Sequence, residues 1–179
     1  MPPIHDSSIL EKARRVRWLV LDVDGVLTDG RIILDGGGGE WKSFDVRDGQ
    51  RIVLAGREGI RTVFLTGRTS RVVERRAVEL GVYRVFQGAH DKGETMDQFF
   101  REEGARPEET AYLGDDIVDL PALRRAGLAA AVGDAVPEVR AAADWIAAAP
   151  GGRGAVRELV EFILVAQGRW EAALAGFLR

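Results

Sequence analysis

Asp22 and Asp24 stand two positions apart at the end of "RWLVLD" (residues 17–22), an apolar run with the composition of a buried strand. An ionised carboxylate taken out of water costs several kcal/mol on the order-of-magnitude scale unless a partner compensates it, so acids here need a purpose. Comparable polar sets close the later apolar runs: Thr66-Gly67-Arg68 after 61–66, Lys92 after 83–86, and Gly114-Asp115-Asp116 after 110–115, with Asp119 one helical turn on. Three carboxylates at one edge suit a hard, oxygen-seeking ion such as Mg²⁺. Thr66, Lys92 and the amides of the helix that follows Gly67 suit a phosphate. A carboxylate, a divalent ion and a phosphate clamp are the parts of phosphoryl transfer. Asp22 then reads as a nucleophile able to form an aspartyl-phosphate. Asp24, on the same side of an extended chain, reads as the acid that protonates the leaving alkoxide and the base that next activates water.

These groups meet only if the apolar runs lie side by side in one direction. The runs at 17–22, 61–66, 83–86, 110–115, 128–133 and 144–147 are continuous rather than alternating, and helical patterns separate most of them, near 48–58, 69–80, 92–103, 117–126 and 136–142. That rhythm predicts an α/β fold, a doubly wound, Rossmann-like parallel sheet flanked by helices, whose ligands sit at the carboxyl ends of the strands. "DGRIILDGGGGEWKSFDV" breaks the rhythm and reads as an inserted β-hairpin, with strands near 30–35 and 40–46 and a glycine-rich tip at 36–39. No Lys-Ser/Thr pair follows those glycines, so they read as a mobile turn and not as a phosphate loop. An N-terminal segment, 1–16, carrying a short polar helix from about Asp6 to Arg15, precedes a single domain at 17–179. That domain ends in a helix and tail at 151–179.

The 179 residues allow one well-cored domain, and 46% apolar with 30% charged residues describes a soluble globular chain. A formal net charge of −3 gives no bulk attraction to nucleic acid or to anionic membrane, and zero cysteines exclude thiol catalysis and thiolate metal sites. No run reaches the roughly 20 apolar residues of a membrane span. The expectation is a cytoplasmic protein acting on a small molecule.

The motifs "DVDGVLTDG", "TGR", Lys92 and "GDDIVD" resemble those of the haloacid dehalogenase superfamily. "FDVRDG" (44–49), "FQG" (86–88), "GGRGAVRE" (151–158) and "LVAQGRW" (164–170) are similar to segments of its 3-deoxy-D-manno-octulosonate 8-phosphate phosphatase family. The resemblance runs from about Arg17 to Trp170. It implies a Mg²⁺-dependent phosphatase of lipopolysaccharide precursor synthesis, with Asp22 as nucleophile and Asp24 as acid/base. It implies a metal held by Asp22, the backbone carbonyl of Asp24, and Asp115. Thr66, Gly67 and Lys92 would hold the phosphate, and Asp24, Arg47, Asp48, Gly49, Arg68 and Arg76 would surround a sugar acid. Apart from the resemblance, Asp116 and Asp119 read either as orienting Asp115 and the metal's waters or as simply capping the helix, the first being favoured for Asp119. The intervals between strands are too short for a separate cap domain, which places the chain in the capless subclass. Relatives of that kind close the site as homotetramers, with the hairpin at subunit contacts and the C-terminal segment reaching over a neighbour's site.

The chain departs from that pattern after "VRDG", where it reads Gln50, Arg51, Ile52 and Val53. Arg51 is expected either to replace a displaced cation or to mark a different substrate. His5 and His90 read as solvated, Trp145, Phe162 and Leu164 as core, and Trp18, Trp41 and Trp170 as subunit-contact residues. Rival readings are a signalling receiver, a catalytically silent regulatory domain, and a phosphatase of a nine-carbon ulosonate 9-phosphate. The acid pair on the first strand argues against the receiver, and the full motif set argues against the silent domain.

Overall fold

The computed structural model describes residues 6–177; His5 lies outside them. The chain runs α1 (Ser7–Arg15), β1 (Trp18–Leu21), β2 (Ile33–Leu34), β3 (Glu40–Trp41), α2 (Val46–Arg57), β4 (Arg61–Leu65), α3 (Arg71–Leu80), β5 (Arg84–Phe86), α4 (Lys92–Glu103) and β6 (Thr110–Gly114). It continues through α5 (Leu120–Leu123), β7 (Leu128–Ala131), α6 (Pro137–Ala142), β8 (Trp145–Ile146), α7 (Ala155–Ala166) and α8 (Trp170–Ala175), with single 3₁₀ turns at 107–109 and 117–119.

Six strands form one parallel sheet in the order β5-β4-β1-β6-β7-β8. The two strands flanking β1 are fixed by register, Leu21 lying opposite Phe64 on β4 and Leu113 on β6. β1, β6 and β7 are buried along their whole length, as strands covered on both faces must be. Right-handed crossovers put α2 and α3 on one face and α4, α5 and α6 on the other. α7 returns to pack on α2, and α1 packs on α7. The connection after β1 runs to one side of the sheet and that after its neighbour β6 to the other, so the crevice of this doubly wound sheet opens between the ends of β1 and β6. Among the described residues no helix is long and apolar enough to cross a membrane.

The predicted hairpin is present but much shorter, only Ile33–Trp41 and Leu34–Glu40 being paired. The expected second strand stops at Trp41 because Asp45 already caps α2, accepting a hydrogen bond from the Arg47 N–H at 2.7 Å. α5 spans four residues, since the predicted 117–126 helix opens as a 3₁₀ turn. The tail forms α8, which the sequence pattern did not reveal. The end of the N-terminal segment joins the domain: Ala13 and Val16 are buried in the common core, and Gln167 donates to both of their carbonyls. Trp18 is likewise core, edge-on to Tyr83 and Phe99, so only Trp41 of the three tryptophans stands well exposed.

The "GGRG" segment lies on its own chain rather than reaching away from it. Gly152 N–H donates to the Val26 carbonyl at 2.8 Å, and any side chain at Gly151 would collide with the Gly25 backbone. α7 has no capping side chain of its own. Asp48, on α2, supplies the cap from across the core, its two oxygens accepting from the N–H of Gly154 (3.0 Å) and of Arg157 (2.7 Å). Burial pushes the Asp48 carboxyl above its ordinary value, and these two donors oppose that rise. Asp48→Ala strands both donors, one buried and one part-buried, and should cost roughly 2–6 kcal/mol in urea unfolding, from about 1–3 kcal/mol per unmet donor. Asp48→Asn, which keeps one acceptor oxygen, should cost less.

Candidate active site

Asp22 follows β1 directly and stays on the ladder, its N–H donating to the Leu113 carbonyl at 3.1 Å. The chain then turns: Val26, Leu27 and Thr28 all donate to the Val23 carbonyl. Asp24 therefore sits in a turn and not, as expected, on an extended strand. Gly25 completes the turn with φ +94°, a conformation that L side chains rarely adopt, and a Cβ there would strike the Asp115 carboxylate.

Behind Asp22 lies a buried charge cluster. Lys92, the first residue of α4, places its Nζ 2.7 Å from Asp22 Oδ1 and 2.6 Å from Asp119 Oδ1. Asp119 is wholly buried and fully engaged. Its Oδ1 also accepts from the Tyr112 hydroxyl at 2.6 Å, and its Oδ2 accepts from the N–H groups of Asp115 (2.9 Å) and Asp116 (3.2 Å). Gly114 makes this possible, because a Cβ at that position would collide with the Asp119 carboxyl. Tyr112 was missed in the sequence, where it looks like one more core residue of a buried strand. Burial and the neighbouring acids hold its hydroxyl far above the ordinary range, so it remains a donor.

Asp22, Asp115 and Asp119 each bring a carboxylate oxygen within 4.8 Å of the others. Burial, with the charges of Asp22 and Asp119 added, pushes Asp115 up to about 8. Burial and the Asp119 charge push Asp22 up to about 6 against the pull of Lys92. Burial would lower the Lys92 ammonium, but the charges of Asp22 and Asp119 outweigh it and hold it above its usual value. Three carboxylates against one ammonium leave a formal −2. A divalent cation cancels that charge, and Asp115 Oδ1 is buried with no hydrogen-bond donor to satisfy it. An all-oxygen donor set suits Mg²⁺. Asp119 has its lone pairs committed to four donors, so it orients Lys92 and the Asp115 backbone while Asp22 and Asp115 keep oxygen free for an ion.

Thr66 and Gly67 follow β4, the strand beside β1, and Thr66 is buried. The helix after them begins at Arg71, so any amides facing a phosphate belong to the 67–70 loop and not to a helical first turn. Arg68 N–H donates to Thr66 Oγ1 at 3.3 Å, and its guanidinium lies at the rim, 3.0 Å from Glu40 and 3.9 Å from Asp24 Oδ2.

Several expected residues do other work. Asp48 caps α7. Gly49 is small because the Arg76 guanidinium occupies the space a Cβ would need, and Arg76 itself lies over the Phe44 ring and pairs with Glu79 at 2.9 Å. Gly49 and Arg76 pack α2 against α3, and neither they nor Asp48 make a hydrogen bond or ion pair with the acids at the end of β1. Arg47 is exposed at the rim, paired with Asp45 and donating to the Arg153 carbonyl at 3.4 Å. Asp116 caps the 117–119 turn in a capping box with Asp119, so its carboxylate does not back the metal ligands. Arg51 does not enter the site: it pairs with Glu161 at 2.8 Å and covers the Trp170 ring, tying α2 to α7 and α8. Lys42 and Glu40, on the hairpin's return strand, were not foreseen; Lys42 is buried and bonded to Asp24.

A family model of haloacid dehalogenase-like hydrolases matches residues 77–157. The chain is 40% identical over 167 residues, 93% of its length and 89% of the relative's, to the 3-deoxy-D-manno-octulosonate 8-phosphate phosphatase KdsC of Escherichia coli. The crystal structure of that phosphatase from Moraxella catarrhalis, with magnesium, phosphate and KDO, superposes with a TM-score of 0.94 at 40% identity, covering 97% of this chain and 99% of the other. The cobalt-bound Haemophilus influenzae protein superposes at 0.89 with 39% identity, covering 94% and 99%.

Metal removal and pH should therefore be linked. Asp22 and Asp115 have folded values above their unfolded ones, so the folded state holds these protons longer. The stability they contribute is fully present below about pH 4 and is lost as pH rises through about 6 and then 8. We expect the metal-free melting temperature to fall between pH 5 and 8.5 and Asp115→Asn to flatten the upper part of that fall. Mg²⁺ at 100 times its dissociation constant should restore about 2.7 kcal/mol at pH 8 and less at pH 5, where protons compete for the same oxygens.

Proposed function

This chain belongs to the 3-deoxy-D-manno-octulosonate 8-phosphate phosphatases of the haloacid dehalogenase-like hydrolases, and from that premise we propose that it hydrolyses this sugar phosphate to the free sugar acid and phosphate. The observation that supports it most is the pairing of two acids of unlike surroundings in one turn: Asp22 backed by Lys92, and Asp24 at the rim beside Arg68.

Asp22, held by Lys92, attacks the phosphorus as the bond to the sugar oxygen breaks. Asp24 gives its proton to that oxygen, so the sugar leaves as a neutral alcohol. A water then attacks the aspartyl-phosphate, Asp24 takes its proton, and phosphate leaves with Asp22 regenerated. Thr66, the loop amides from Gly67 and Lys92 hold the phosphoryl oxygens through both steps. Mg²⁺, held by Asp22, Asp115 and the Asp24 carbonyl, supplies positive charge against the phosphate. Arg68 and Arg47 are the exposed cations at the mouth and suit the carboxylate of a sugar acid.

The active species is a homotetramer in the cytoplasm. What supports assembly is the hairpin: Ile32, Ile33, Leu34, Trp41 and Val46 are all exposed together, an apolar patch that a monomer rarely carries without a partner. Among the described residues no segment forms a cap, and a neighbouring hairpin would exclude water from the site.

Phosphate release in Mg²⁺ from eight- and nine-carbon ulosonate phosphates tests the reading, with Asp22→Asn as the blank. The eight-carbon ester should be preferred, with loss of about 10³-fold or more in the variant, as expected for removal of a nucleophile. Preference for the nine-carbon ester would move the substrate, and release unaffected by Asp22→Asn would overturn the mechanism. Leu34→Asp should convert the tetramer to smaller species in light scattering.

A further inference from the structure

Lys42 is the most buried cation on the surface side of the site, its side chain 1% exposed, although it follows a two-residue strand of an otherwise exposed hairpin. Residues alternate along that strand: Trp41 points outward and is exposed, whereas Glu40 and Lys42 turn toward Asp24 and Arg68. The Lys42 ammonium donates to Asp24 Oδ1 and lies 3.3 Å from Glu40. The other Asp24 oxygen, Oδ2, is buried and has no hydrogen-bond partner. Arg68 approaches it only to 3.9 Å, beyond a hydrogen bond.

A carboxylate that shuttles a proton has two chemically equal oxygens, and a free side chain would present either. An ammonium seated on one removes the choice, because the oxygen that accepts an N–H from a cation is the less basic of the two and the proton goes to the other. We propose that Lys42 is a positioning residue that reserves Asp24 Oδ1, so that Oδ2 alone carries the proton to the leaving oxygen and recovers it from water. The hairpin thus holds the acid/base of the reaction. This rests on Asp24 being that acid/base. Lys92 does the equivalent for Asp22 from the opposite side, taking Oδ1 of the nucleophile.

The experiment uses leaving groups that need the proton to different degrees. A simple alkyl phosphate and 4-nitrophenyl phosphate, neither bearing a sugar carboxylate, are compared by kcat with the full-length Mg²⁺ enzyme. Alkoxides are poor leaving groups without a proton, whereas nitrophenolate leaves readily, so misplaced acid catalysis lowers the first rate more than the second. Lys42→Met keeps the aliphatic stem and should lower kcat for the alkyl ester roughly 10- to 100-fold, a part of the 10²–10⁴ that a positioned acid contributes. It should lower the aryl ester several-fold less, with KM for both little changed. Lys42→Arg, which restores a donor, should recover part of the alkyl rate, and unchanged circular dichroism and melting temperature would show that both variants fold. Equal loss for both esters in Lys42→Met, or loss confined to KM, would overturn the positioning role. Asp24→Asn is run beside them. If it leaves the alkyl-to-aryl ratio unaltered, the acid/base reading itself fails and the role of Lys42 falls with it.

Discussion

Two buried carboxylates and a half-buried one face one buried ammonium at the end of β1, and the rest of the molecule is arranged to tolerate it. Desolvation alone drives Asp22 and Asp115 toward their neutral forms, and no apolar packing relieves that. The fold answers with four donors brought from three places: Lys92 from the start of α4, Tyr112 from within β6, and the N–H groups of Asp115 and Asp116 from the turn that follows β6. Glycine stands at 25 and 114 because the acids come too close for a side chain there. The parallel sheet is what allows this convergence, since it delivers the ends of β1, β4 and β6 to one edge within two strand spacings.

The same convergence leaves the site shallow, because a sheet edge has loops above it and no second domain. This chain closes it with two short pieces placed by long-range contacts. The 151–154 loop lies on the turn that carries Asp24, and Asp48 fastens the helix beyond it to α2. The hairpin comes in from the other side, pinned by Lys42 and Glu40 to Asp24 and Arg68. Both pieces are held by buried ion pairs or charge-assisted hydrogen bonds, which are directional, whereas apolar packing would allow them to slide.

What the sequence displayed and what it concealed divide along the same line. Asp22, Lys92, Asp115 and Thr66 were legible because a parallel sheet turns position along the chain, namely the end of an apolar run, into position in space. The contacts of Asp48, Gly49 and Arg76 were not legible, since their partners lie on other helices and a carboxylate that caps a helix more than 100 residues away carries no local sign of it. Tyr112 was hidden for a related reason: in "TAYLG" nothing separates a ring that packs from a hydroxyl that donates. Arg51 illustrates the converse, a local departure that looked chemical and is structural, spent on Glu161 and Trp170. Asp24 was found by spacing, but its geometry was not, because the turn begins at Val23 and the pleat argument no longer applies.

The two acids that open the site differ only in what surrounds them, and that difference is enough to divide the labour. Asp22 lies behind, buried, with an ammonium on one oxygen and two acids beside it, so it is an anion only because compensating charge keeps it one. Asp24 lies in front, half-buried, with its own ammonium on one oxygen and the other left bare. Like residues in unlike settings take unlike roles in proton and phosphoryl chemistry. Here the two settings come from different parts of the chain: α4 supplies the cation behind Asp22, and the hairpin supplies the one before Asp24. The pair of acids is therefore a joint between the sheet and the hairpin. A change that moves the hairpin without touching the sheet acts on Asp24 and leaves Asp22 where it is.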